Sequence, residues 1–421
     1  MSDNIEFVKK AKRVTQQEQQ QLYENVRGII GEVRNRGDAA LHDFSMKFDK
    51  MDRKSFRISE DEIEQGIEAA PSEIKSVTDF AIEHVRKFAE KQMECYKDFE
   101  VENSPGAFLG QRVIPISSAG CYVPGGRFPL LSCPIMPIVP AKVAGVERVV
   151  ACTPLRKGGL IDPAVLYSLA KSGADEIYGI GGAQAIAAMA YGTETIHPVD
   201  KIVGPGNMYV NEAKRQVFGR VGIDLLAGPS EVLILADDSA KPELVAIDLL
   251  AQAEHDTQAR AILITDSQNL ARETIKQVHV QMETLNTASI LRESWENRGE
   301  VVVTKTIDQA VELANSYAPE HLEVHTRNPK EIQSRLRNYG SLFLGEWSPV
   351  VLSDKLDGTN HILPTLGAAR YTGGLFVGSF LKTVTYQMIT EQACKQLAAM
   401  AAKQSHYEGL DGHARSAEAR L

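Results

Sequence analysis

Four short segments gather side chains able to do chemistry. In QAEHD (252–256), Gln252 and His255 are three residues apart, so on a helix they share one face. In APEHLEV (318–324), Glu320 and His321 are adjacent. A carboxylate beside an imidazole suits general acid–base work, because their surroundings can tune the two pKa values apart. SDKLDGTNH (353–361) supplies Asp354 and His361, and EGLDGH (408–413) supplies Glu408 and His413. Singly, each segment also has a plain reading. Gln-x-x-His can be a solvated helix end, Glu–His a junction of helix and strand, and Glu408 with His413 the charge of a frayed terminus. Together they hold four of the ten histidines, each next to a carboxylate or amide at a predicted loop or helix end. A Gln, His, Asp, His set suits a hard-to-borderline cation such as zinc and leaves positions open for substrate.

Two glycine-rich segments follow predicted strands and open predicted helices: GIGGAQ (179–184) and GPGN (204–207). Each either makes a tight turn or presents backbone N–H groups and a helix N-terminus to a phosphate. The GxGxxG dinucleotide fingerprint is absent. CYVPGG (121–126) is a third turn-rich loop, with Tyr122 free to stack or hydrogen-bond.

Between about Pro105 and Gly345, short β-branched runs alternate with helical patterns. RVVACTP, EIYGIGG, KIVGPG, EVLILADD, RAILITD, EVVVTK and HLEVHT read as strands. Such alternation predicts parallel sheets with helices on both faces. The expected α/β architecture is two doubly wound modules, 105–228 and 229–346. A helix-rich segment, 1–104, precedes them and is expected to pack on the second module. Its helices are predicted at about 16–50 and Ser59–Glu94, with Pro71 opening a new helix. An active-site loop and helical tail, 347–421, follow, with the helix at about 379–404. Ligands of such sheets are expected beyond the carboxyl ends of the strands.

Composition excludes several classes. Among 421 residues, 46 are Lys or Arg and 55 are Asp or Glu, a net charge of −9 that argues against a general nucleic-acid binder. No stretch approaches the about 18 consecutive apolar residues of a membrane span. The start, MSDNIEFVKKAKRV, lacks the apolar core of a secretory signal. Five scattered cysteines with no CxxC pair exclude a disulfide framework and a cysteine zinc site. The expected compartment is the reducing cytoplasm.

The segments VGPGNMYVNEAKRQVFGRVGIDLLAGPSEVLILAD, LLAQAEHD, YAPEHLEV, GSLFLGE, DGTNHILPT and EGLDGHARSAEARL resemble the histidinol dehydrogenase family, in its order, from about residue 10 onward. The resemblance implies a zinc- and NAD-dependent alcohol dehydrogenase. It would oxidise L-histidinol through the aldehyde to L-histidine, the last step of histidine biosynthesis, reducing two NAD. It also implies incomplete Rossmann-like modules in an intertwined homodimer, the C-terminal tail completing the partner's site. The implied zinc ligands are Gln252, His255, Asp354 and His413, and the catalytic pair is Glu320 and His321. Tyr122, Gln184 and Asn207 match positions that touch NAD. Ser230, His361 and Glu408 match positions lining the substrate pocket, together with His321 and the zinc ligands. Two stretches differ from biosynthetic members: the loop with Arg127 and Phe128, and GAARYTGGLFVGSFLKTVTYQ (367–387). They resemble a side branch that includes sulfopropanediol dehydrogenases, for which the substrate would be 2,3-dihydroxypropane-1-sulfonate. Arg127 and Arg370 would then be either surface charges or partners of the anionic tail. Ser230, within GPSEV, matches the histidinol enzymes. The intact Glu320–His321 pair and ligand set oppose a third reading, an inactive metabolite-binding relative.

Overall fold

A computed structural model describes residues 5–12, 17–53, 55–125, 128–156 and 158–421. The strands are β1 (Ile5–Lys9), β2 (Phe99–Ser104), β3 (Ala107–Pro115), β4 (Ser118–Tyr122), β5 (Arg148–Thr153), β6 (Glu176–Gly179) and β7 (Lys201–Val203), then β8 (Gly222–Ile223), β9 (Glu231–Ala236), β10 (Arg260–Thr265), β11 (Glu300–Thr304), β12 (His321–His325), β13 (Ser341–Leu344) and β14 (Leu381–Ile389). They form sheets ordered β6-β5-β4-β7-β8, β1-β11-β10-β9-β12-β13 and β14-β3-β2.

The two larger sheets share one winding. Each starts at a central strand, β4 or β9, adds two strands to one side and then crosses to the other. The switch points are β4/β7 and β9/β12. The pairing is parallel except for β1, which lies antiparallel on β11. The strand sequences explain why both faces are covered. In β9, Val232, Ile234 and Ala236 enter one apolar cluster, with Val245, Leu249 and Ala253 of the helix Pro242–Ala253. Leu233 and Leu235 enter the opposite cluster, with Ala310, Val311 and Ala314 of the helix Ile307–Tyr317. A strand apolar at every position is stable only between two helical layers. β5 repeats the pattern, with Val149 and Ala151 on one face and Val150 and Cys152 on the other.

Three expectations are corrected. Residues 381–389 are strand, not helix: β14 pairs antiparallel with β3 along its length, and the helix Glu391–Tyr407 starts only after the Thr390 cap. Thr383, Val384, Thr385 and Tyr386 favour the pleated conformation. The helices of the first hundred residues lie on the first sheet, not the second. Gln17–Arg36 inserts Val26, Ile30 and Val33 beside the helices Gly182–Tyr191 and Met208–Val217, and Ser72–Met93 inserts Ile82, Val85 and Ala89 beside Ser132–Ala144. Only β1 joins the second sheet. Finally, the 347–370 stretch contains the short helix Val350–Lys355, which carries Asp354. Among the described residues, no helix is long and apolar enough to cross a membrane.

Candidate active site

The site grows from the switch point β9/β12. The helix Ile307–Tyr317 ends on Ala318, whose left-handed φ of 48° turns the chain sharply into β12. Glu320 and His321 therefore stand at the amino end of β12, beside the start of β9, and both are buried. The Glu231 backbone serves both. Its N–H donates to Glu320 Oε2 at 2.8 Å, and its carbonyl lies 3.0 Å from His321 Nδ1. That carbonyl can only accept, so Nδ1 carries the proton and Nε2 is left as the basic nitrogen. Nε2 is buried, without a hydrogen-bond partner, 4.0 Å from Asp354 Oδ1. The Glu231 side chain is fixed in turn, with Arg260 at 3.0 Å and the Leu366 N–H at 2.9 Å. Arg260 reaches on to Glu300, which also accepts from the Tyr317 hydroxyl.

A cavity of about 210 Å³ opens beside this pair. Gln252 and His255, from the end of the helix Pro242–Ala253, line it with Asp354. Phe128 and Leu130 contribute from the first module. His361 folds back so that Nδ1 lies 3.2 Å from the Asp354 carbonyl and 3.8 Å from its carboxylate. The Asp354 carboxylate thus faces two imidazoles at distances too long for hydrogen bonds. This amide oxygen, imidazole and carboxylate set fits a borderline cation with open coordination positions.

Burial sets the titration behaviour. It pushes the Glu320 carboxyl well above the usual range, helped by Glu231 and Asp354 and opposed by the Glu231 N–H. It lowers His321 despite the nearby Asp354, so the ring is neutral at pH 7 and able to accept a proton. Burial also lowers His361. Asp354 would be raised by burial, but His361, His321, His255 and Lys355 bring it below its ordinary value. Burial pushes the nearby Cys133 thiol up to about 12, so it stays protonated and is no nucleophile at neutral pH.

Tyr122, Gln184 and Asn207 lie at the carboxyl edge of the first sheet, after β4, β6 and β7. Tyr122 is buried, and its hydroxyl accepts the Gly182 N–H at 3.1 Å. Gln184 is buried in the first turn of Gly182–Tyr191. Asn207 caps Met208–Val217, its carbonyl accepting from the Tyr209 and Val210 N–H groups. Between them, Gly204 at φ 115° passes so close to the Tyr122 carbonyl that any Cβ would collide with it. A sheet edge with two helix N-termini at a switch point is where a dinucleotide's phosphates bind.

The residues expected to touch NAD lie at the carboxyl ends of strands in the first sheet, whereas those expected at the metal and the substrate lie at the amino ends of strands in the second. Ser230 and Glu320 precede β9 and β12, His321 opens β12, and Gln252 and His255 precede β10. The reason lies in the loops: Gly228 bonds to Thr365 and Glu231 to Leu366, drawing the 361–370 loop onto the amino ends of β9 and β12. Ser230 and His361 are held near the pair by these ties. Glu408 and His413 are not. Both are exposed on a hairpin of the helices Glu391–Tyr407 and Asp411–Glu418, away from the Asp354 cavity. Arg370 is exposed, and Arg127 lies outside the described residues. Sequence reasoning missed Glu231, which acts through its backbone. It also missed Asp248, Glu323 and His325, although charged residues inside the buried strand HLEVH are a readable signal.

A profile of the histidinol dehydrogenase family matches residues 12–421. The chain is 47% identical over 398 residues to a histidinol dehydrogenase homolog of Shouchella clausii, covering 94% of each chain. It is 48% identical over 396 residues to histidinol dehydrogenase of Methanothermobacter thermautotrophicus, covering 94% of this chain and 92% of that one. The crystal structure of histidinol dehydrogenase from Elizabethkingia anophelis matches with a TM-score of 0.90 at 36% identity, over 98% of this chain and 94% of that one.

Proposed function

Because the chain belongs to the histidinol dehydrogenase family, NAD-dependent oxidoreductases acting on an alcohol, we propose that it oxidises L-histidinol through the aldehyde to L-histidine. Two NAD are reduced per turnover. The observation that carries this reading is His321, neutral and oriented by Glu231, with a free Nε2 beside the Gln252–His255–Asp354 cavity.

With NAD bound to supply the hydride acceptor, His321 Nε2 would take the alcohol proton in the first oxidation. The aldehyde then adds water. Glu320 takes a proton from that water, and a carboxyl raised by burial is a stronger base than an ordinary one once ionised. In that addition His321 would return its proton to the carbonyl oxygen, which frees Nε2 to accept a hydroxyl proton of the hydrate as the second hydride leaves. Gln252, His255 and Asp354 would hold a zinc ion, with His413 of a second copy. Zinc bound there would supply Lewis acidity and orient the substrate. Ser230, His361 and Glu408 of a second copy would line the substrate. Tyr122, Gln184 and Asn207 would receive NAD.

The exposed tail supports a homodimer. Val384, Tyr386, Met388, Ile389 and Met400 also present apolar surface to solvent on β14 and the helix after it. An open edge strand flanked by such surface favours a second chain.

A second reading keeps the chemistry and changes the substrate to another small polar alcohol, such as 2,3-dihydroxypropane-1-sulfonate. Exposed Arg370 favours it: it lies four residues beyond Leu366, which is bonded to Glu231, and has no ion-pair partner among the described residues. NADH counted per substrate consumed separates the readings. Two NADH per histidinol is the expected result. No turnover of histidinol with turnover of the sulfonate overturns the first reading.

A further inference from the structure

A second constellation lies in the wall of the same cavity. Asp248 projects from the helix Pro242–Ala253, and Glu323 and His325 project from β12. One ligand atom from each lies within 4.8 Å of the others. Glu323 is fully buried and His325 is 4% exposed. Glu323 Oε1 accepts the Val350 N–H at 3.0 Å, but Oε2 has no hydrogen-bond partner, and neither does either ring nitrogen of His325. Among the described residues, His325 is the sole ion-pair partner of both carboxylates.

A buried carboxylate facing a partly buried one, with no lysine or arginine paired to either among the described residues, is costly, and the cost is relieved by a proton or by a cation. Burial and the neighbouring Glu323 push Asp248 up to about 7, opposed by His325. Three features favour the cation. A proton shared between Asp248 and Glu323 leaves both His325 nitrogens unpartnered, whereas a cation takes one of them as a ligand. His325 Nε2 and Glu323 Oε2 are 3.2 Å apart, close to the about 3 Å between donors that share a metal at bonds of about 2.0–2.2 Å. Asp248 Oδ2, at 4.0 Å from Nε2, is the least buried of the three and closes the set by a side-chain rotation. Asp248 and Glu323 also line the cavity, which gives an ion a path in from solvent.

We propose that Asp248, Glu323 and His325 form a second divalent-cation site, separate from the Gln252–His255–Asp354 set, for a borderline first-row metal such as Zn2+ or Mn2+. One imidazole and two carboxylates match that class. The ion ties β12, which opens on His321 just after Glu320, to the helix that carries Gln252 and leads into His255.

The test counts metal on the full chain, stripped with chelator, re-equilibrated with Zn2+ or Mn2+ and freed of excess. Two ions are expected per wild-type chain, one in His255→Ala and none in His255→Ala/His325→Gln. Zn2+ or Mn2+ also raises the Tm of His255→Ala but not of the double variant, because an ion that binds the folded state alone stabilises it. Zero ions in His255→Ala overturn the site and leave the proposed function standing. An ion retained by the double variant overturns it too, since that ion lies elsewhere. One ion in wild type and His255→Ala, with none in His325→Gln, supports the site and counts against the zinc set of the proposed function. Far-UV circular dichroism checks folding, and Asp248→Asn, at the more exposed ligand, replaces His325→Gln should that variant fail to fold.

Discussion

His321 is useful because of what it lacks. Its Nδ1 is committed to the Glu231 carbonyl, and its Nε2 has no partner. His321→Gln leaves an amide of similar reach that cannot accept a proton at neutral pH. Its kcat falls about 10²–10⁴-fold, the usual loss on removing a general base, with little change in KM. Glu320→Gln keeps the bond from the Glu231 N–H but removes the base proposed for aldehyde hydration. NADH released per histidinol then drops from two toward one, with aldehyde trappable by an amine reagent. Two NADH at an unchanged rate takes Glu320 out of the mechanism. Glu320 and His321 were visible in the sequence because unlike titratable groups adjoin at a junction of elements. Glu231 was not, because it contributes an N–H and a carbonyl that any residue would have. Glu323 and His325 stand inside HLEVH, where the β-strand pattern of the segment masks two titratable groups that sequence spacing alone does not bring to Asp248.

Elements hold these groups by buried charges that have no spare partners. Lys214, fully buried in the helix Met208–Val217, pairs with Asp224 and donates to the Gly204 carbonyl at 2.9 Å. Asp224 accepts the Gly204 N–H at 2.8 Å, so the pair clamps the turn beneath Asn207 from both sides. Lys214→Met strands a buried carboxylate and lowers stability by about 3–5 kcal/mol, while Lys214→Met/Asp224→Asn recovers most of that loss. Denaturant midpoints measure both, and equal losses in the two variants would show that the clamp acts through packing alone. A second ion pair gives a pH signature. The Arg148 guanidinium at 2.6 Å, with the Tyr178 hydroxyl, holds the Glu176 carboxyl below its ordinary value of 4.5, against the opposing effect of burial. The folded state therefore prefers the ionised form. That stability is complete above 4.5 and is lost as the pH falls through the depressed folded value. Glu176→Gln is accordingly about 1–2 kcal/mol less stable at pH 7. Its deficit shrinks in thermal melts taken below pH 4.5, and a deficit constant with pH refutes the assignment. Most strands of the two large sheets were legible from β-branched runs between glycine-rich turns. β14 was not, because only Thr390 separates LKTVTYQMI from the helix that follows, with no glycine or proline to mark the break.

At the scale of the whole molecule, one chain carries Gln252, His255 and Asp354 around one cavity, with His321 4.0 Å behind Asp354, and leaves His413 and Glu408 in solvent. Distance along the sequence gives no sign of this, since residue 413 is as free as any to fold back onto residue 354. The helix Asp411–Glu418 packs against Glu391–Tyr407, and this hairpin leaves Glu408 and His413 exposed. If the tail serves a neighbour, two different lesions must complement. His321→Gln chains have a dead catalytic base and an intact tail, and His413→Ala chains have the reverse. Each homodimer is inactive. In a mixed dimer, one site combines both lesions, and the other joins a wild-type His321 to a wild-type His413. Random exchange makes about half the dimers mixed, with half their sites intact, so activity returns to roughly a quarter of wild type. The check is to unfold the two variants together, refold them and assay NADH formation against each variant refolded alone. No recovery, in a mixture that size-exclusion chromatography shows to be dimeric, means that each tail serves its own chain. Recovery near a quarter requires the crossed arrangement, because no site confined to a single chain contains both an intact base and an intact His413 in that mixture.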